Sequence, residues 1–119
     1  MNAIGLVENS SMAAGMQSAD MMLKTSSIDL ILSRTICSGK YMVLIGGDVA
    51  SVQAAIAVVI EDLDEAIIDT FVLPNVHPDI FPALSGTNSP PELEALGILE
   101  SFSVASLIEG ADEACKAAD

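Results

Sequence analysis

Few residues in this chain have the side chains and spacing for chemistry, and the best placed is Cys37. It lies in Ser33–Lys40, Ser-Arg-Thr-Ile-Cys-Ser-Gly-Lys, between two short apolar runs. The Ser38-Gly39 pair after it is a turn signal. A thiol at the tip of a strand–turn–strand connection can meet symmetry copies of itself if the chain assembles around an axis. Cys115, the other cysteine, stands in no Cys-x-x-Cys spacing with it, so a disulfide is not expected in a reducing cytosol. The single histidine, His77, precedes Pro78 and reads as a turn or cap residue. Gly46-Gly47-Asp48 leads into a helix pattern, but no Gly-Lys-Ser/Thr follows, so it is a poor phosphate loop. Met21-Met22 at helical spacing reads as core. There is no nucleophile–base pair and no acidic dyad in an apolar segment, so an enzyme is not expected.

Composition narrows the partners. Seventeen acidic against four basic residues give a formal charge of −13. Neutralising phosphates needs clustered Lys and Arg, so nucleic acid is excluded, and an anionic membrane surface with it. No apolar run approaches the roughly 18 residues of a membrane span, and Met1–Glu8 has no basic residue to open a signal peptide. A soluble, intracellular protein is the expectation. The chain is 51% hydrophobic but only 3% aromatic, so Ala, Val, Ile, Leu and Met must build the core.

The elements that position Cys37 follow from pattern. Ala3–Glu8 reads as a short buried strand, and Asn9-Ser10-Ser11 as a helix cap. Met12, Met16, Ala19 and Leu23 recur at helical spacing to about Thr25. Ile28–Leu32 and Tyr41–Ile45 form strands on either side of the cysteine turn, an antiparallel pair. Asp48 caps a second helix with its stripe at Val49, Val52, Ile56, Val59 and Leu63. Ala66–Leu73 is a fourth strand, stopped by Pro74, and a short helical turn runs from His77 to Phe81. This order predicts an α+β fold: a mostly antiparallel four-stranded sheet with helices on one face.

After a linker at 85–91 the chain restarts. Ala95, Gly97, Glu100, Ser103, Ala105, Ala111, Asp112 and Lys116 match Ala3, Gly5, Glu8, Ser11, Ala13, Ala19, Asp20 and Lys24, each pair 92 residues apart. One constant offset of about a domain means tandem duplication. The reading is a complete domain at 1–84 and a shortened second one at 92–119, holding its first strand, Leu93–Glu100, and its first helix. That strand must pair with its own first domain or a neighbouring chain, or fray.

With the repeat in place, the chain resembles bacterial microcompartment shell proteins. The motifs are Ala-Ile-Gly-Leu-Val-Glu at 3–8, Ala-Asp…Leu-Lys at 19–24, Gly-Gly-Asp-Val-Ala-Ser-Val at 46–52 and Val-Leu-Pro-Asn-Val-His-Pro at 72–78. The second start at 95–100 is similar to the tandem-domain class. Thr-Ile-Cys-Ser-Gly-Lys at 35–40 is similar to its iron–sulfur-binding members in propanediol-utilisation compartments. The resemblance implies a ferredoxin-like shell domain and a trimeric, pseudohexameric tile in the microcompartment shell, within the cytoplasm. It makes Thr35, Ile36, Cys37, Ser38, Gly39 and Lys40 the pore loop. One Cys37 from each chain would ligate a [4Fe-4S] cluster at the axis. It puts Lys24 and Asn75 at the tile edge, Asn75 standing where single-domain relatives carry arginine. Implied partners are further copies as trimer or hexamer, other shell proteins and a redox enzyme of the lumen. Ending at residue 119, the chain is not expected to hold the cluster in the usual way, because the pseudohexamer needs the second domain. The alternatives are a metal-free metabolite pore, with Cys37 a plain loop thiol, and a trimeric small-molecule-binding regulator.

Overall fold

The computed structural model describes residues 2–90 and 92–118. Four strands, β1 Ala3–Asn9, β2 Asp29–Cys37, β3 Lys40–Gly47 and β4 Ile67–Pro74, make one sheet in the order β2-β3-β1-β4. Every pairing is antiparallel. The helices are α1 Met12–Thr25, α2 Val49–Leu63, the short α3 Ile80–Leu84 and α4 Val104–Ala117, with a 3-10 turn at Asp64–Ala66 before β4.

The caps expected from the sequence form. Ser11 Oγ accepts the Ala14 N–H at 3.3 Å, and Asp48 accepts the Ser51 N–H at 3.0 Å. Each satisfies a backbone donor that the first helical turn cannot. The Ser51 hydroxyl and N–H together hold the Asp48 carboxyl below its ordinary value.

The central strand β1 is buried along its whole length, which a strand achieves only when both faces of its sheet are covered. Alternation divides it. Ala3 and Val7 join Met22, Tyr41, Val43, Val52, Ile56 and Val59 under α1 and α2. Ile4 and Leu6 join Met42, Leu44, Phe71, Ile80, Ala105 and Ile108 under α3 and α4. The expectation of helices on one face therefore describes α1 and α2 only, and the second face is covered too. The apolar run of β1 carried that information, since a strand exposed on one side would alternate.

The segment 92–118 forms only one of its two expected elements. Its helix is α4, capped by Ser103 Oγ accepting the Ser106 N–H at 3.4 Å. Its strand, expected over Leu93–Glu100, is not formed: the segment joins no ladder and is exposed throughout. The physical reason lies in its sequence. It copies a central strand, apolar on both sides, which needs a strand on each flank and a layer on each face. The edges offered by β2 and β4 supply neither set.

Candidate functional site: the cysteine hairpin and its anchor

β2 and β3 pair from Asp29↔Gly46 to Cys37↔Lys40, with a register shift between Thr35 and Cys37. Only Ser38 and Gly39 separate the strands. Gly39 has φ +76°, a left-handed conformation that a glycine adopts without steric cost. The turn leaves Thr35, Cys37, Ser38 and Gly39 exposed. Ile36 is half-buried against the α4 side of the sheet. The Cys37 thiol is free and exposed. Lys24 and Asn75 lie away from this hairpin's ladder. Lys24 ion-pairs with Asp20 at 2.6 Å on the surface, and Asn75 is exposed with φ +55°, a conformation asparagine tolerates better than most residues. His77 behaves as a turn residue, its Nδ1 accepting the Asp79 N–H at 3.3 Å. Cys115 packs in the second core cluster.

Lys40, opposite Cys37 in the ladder, points inward to a group that sequence reasoning missed. Its Nζ lies 3.1 Å from Glu8 Oε2 and donates to the Phe102 carbonyl at 2.8 Å. Glu8 is fully buried. Its other oxygen accepts the Val104 N–H at 3.1 Å and the Ala105 N–H at 3.5 Å. A carboxylate here completes the N-terminus of α4, where the helix dipole favours negative charge. The Ser103 hydroxyl adds contacts to Glu8 at 3.2 Å and Asp69 at 2.8 Å. The signal was present: Glu8 is charged and ends an apolar strand run, and a buried carboxylate must find partners.

At the other end of α4, Asp112 is fully buried. It accepts the His77 backbone N–H at 2.8 Å and pairs with Lys116. Burial pushes its carboxyl up, but the His77 N–H, the Lys116 hydrogen bond and charge, and the His77 charge outweigh it. The net shift is below the ordinary 3.8. A depressed folded value means the contact is at full strength above the ordinary value and is lost as pH falls through the folded one. Amide protection in α4 should therefore drop selectively below about pH 4, measured by hydrogen exchange, while β1 and β3 keep theirs.

An antiparallel four-stranded sheet thus carries a glycine-turned hairpin with an outward cysteine, and α4 closes its second face. The BMC domain pattern matches residues 3–76. The chain belongs to the BMC-domain family. It is similar to the bacterial microcompartment shell protein PduT of Citrobacter freundii, at 45% identity over 98% of this chain and 64% of that one. It is 44% identical to PduK of the same organism over 53% of this chain and 41% of that one. A solved microcompartment protein from Desulfitobacterium hafniense superposes with a TM-score of 0.87 at 45% identity, covering 100% of this chain and 66% of that one. The chain thus spans just under two thirds of the length of PduT and of the Desulfitobacterium hafniense protein. The relatives it is similar to are shell proteins of bacterial microcompartments.

Among the described residues no three His, Cys, Asp or Glu side chains group together to hold a metal ion. Cys37 therefore fits an iron–sulfur cluster only as one ligand of a set shared between copies, and its exposure at a hairpin tip suits that sharing.

Proposed function

We propose that the chain supplies the pore-lining unit of a trimeric tandem shell tile, in which the cysteine hairpin faces the symmetry axis. The repeat at 95–116 then opens a second shell domain, and other shell proteins surround the tile. The observation that carries the reading is the free, exposed Cys37 thiol on a hairpin that Lys40 fastens to the buried Glu8. Iron–sulfur clusters are held mainly by thiolates, four for a four-iron cluster. Three chains bring three, and one iron keeps a position for water, a small molecule or a ligand from a redox enzyme in the lumen. That suits electron transfer or cluster delivery across the shell.

The test is anaerobic reconstitution of the full-length protein with iron and sulfide, with its native mass measured in parallel. A brown trimer with broad visible absorption, lost on Cys37→Ser while the trimer persists, is the expected result. A colourless wild-type trimer overturns the cluster and leaves a metabolite pore. A monomer at all concentrations overturns the tile.

A further inference from the structure

Of the four lysine and arginine residues in this chain of formal charge −13, three are spoken for. Lys24 pairs with Asp20, Lys40 with Glu8 and Lys116 with Asp112. Arg34 has no carboxylate within ion-pair distance among the described residues. Its Nε donates to the Thr35 carbonyl at 3.4 Å, a long bond that uses one donor of the guanidinium fork and leaves the terminal N–H groups for something else. Arg34 stands opposite Met42 in the ladder, between Leu32 and Ile36. All three of these neighbours pack on the sheet face that α3 and α4 cover.

That cover is incomplete beside Arg34. Leu84 ends α3 and Val104 opens α4, and between them and β2 lies an open cavity of about 180 Å³, walled by Leu32, Ile36, Met42, Leu84 and Val104 and lined by the arginine. At roughly 30 Å³ per water in the liquid, it has room for about six heavy atoms. Apolar walls give a strongly hydrated ion nothing in return for its water, whereas an alkyl tail gains by leaving water. The planar guanidinium matches the two oxygens of a carboxylate. The net charge of the chain weighs against a second negative charge on the ligand. We propose that this cavity binds a small monocarboxylate with a short alkyl tail, its carboxylate on Arg34 and its tail between Leu84 and Val104. Bound there, the ligand ties β2 of the cysteine hairpin to the end of α3 and the start of α4. The site lies on the sheet face and not at the Cys37 tip, so it depends on neither the cluster nor the tile.

Butyrate, which matches the cavity in size, is the probe. Titrated into the full-length protein, it should shift the methyl NMR signals of Ile36, Leu84 and Val104 saturably in the millimolar range. The methyls of Val43 and Val59, under the other sheet face, should hold still. Arg34 is exposed, so Arg34→Gln should keep the fold. It should weaken butyrate binding roughly tenfold or more, the loss expected when a charged hydrogen-bond partner is removed. Sulfate has charge without a tail and butanol a tail without charge, and each should bind the wild type as weakly as butyrate binds the variant. If Arg34→Gln does not fold, these two comparisons decide. Butyrate that binds Arg34→Gln as it binds the wild type, either control matching butyrate, or no saturable shift in the wild type overturns the site.

Discussion

Replacing Gly15 by alanine should destabilise the protein by about 2 kcal/mol or more, although the same change in an open helix position stabilises by up to about 1 kcal/mol. Gly15 lies in the first turn of α1 on the face turned to Tyr41 of β3. A β-carbon there would overlap Cδ1 and Cγ of the Tyr41 ring and lie only 2.9 Å from its Cβ. The ring cannot swing away cheaply, because its hydroxyl is tied to Ser33 Oγ at 2.8 Å and its Cβ moves only with β3. The helix must lift from the sheet instead, loosening Met22 and Ala19 over Val43 and Val7 in the same cluster. A fall in melting temperature of roughly 10 °C is expected. Gly110→Ala in this chain is the matched comparison. A β-carbon at Gly110 meets nothing within 4 Å, so the melting temperature should hold or rise. Equal behaviour of the two variants would mean that helix propensity, and not the contact with Tyr41, governs position 15.

That pair of glycines also marks how far the sequence could be read. The periodicity of Met12, Met16, Ala19 and Leu23 identified a helix correctly, and Ser11 fixed its start. It did not say which side faces inward. The structure buries Ala19 and leaves Met16 and Leu23 exposed, because Gly15 and Ser18 let the helix approach Tyr41 and Asn9 closely on the other side. A pattern with two apolar flanks is consistent with either orientation. The hairpin was legible in kind from local chemistry, two β-rich runs and a Ser-Gly turn, but β2 runs on to Cys37 and not only to Leu32, because Ser33–Cys37 pairs with β3 up to the turn itself. The strand at 93–100 failed for the complementary reason. Its residues ask for strands on both flanks, and no local feature reveals that those partners are missing from the fold. Glu8 sits between these cases. Its burial followed from its strand, but its partners Lys40, Ser103 and Val104 lie 32 to 96 residues away, beyond any periodic signal.

Glu8→Ala should have the largest effect of any single polar substitution in the chain. The carboxylate sits in a closed site where it meets the Lys40 ammonium, the Ser103 hydroxyl and the first N–H groups of α4. Removing one partner of a buried ion pair typically costs about 3–5 kcal/mol, since the other charge is left without compensation. Lys40, 28% exposed, can reach water only by releasing the Phe102 carbonyl as well. The N-terminus of α4 loses its anion at the same time. The expected result is undocking of α4: its amides lose exchange protection, and Ile4, Leu6 and Phe71 are bared to solvent-probing dyes. Cys37, directly across the ladder from Lys40, should react faster and less uniformly with a thiol reagent once the hairpin is no longer fastened. Glu8→Gln separates the contributions, because an amide oxygen still accepts from Val104 while the charge is gone, so its loss should be smaller. Pairing Glu8→Leu with Lys40→Met removes both charges and should recover part of the stability lost by Glu8→Leu alone, as buried ion pairs replaced by apolar residues often do. If Glu8→Ala melts as the wild type does and α4 stays protected, the helix is held by its apolar face alone and the buried cluster is not the anchor of the hairpin.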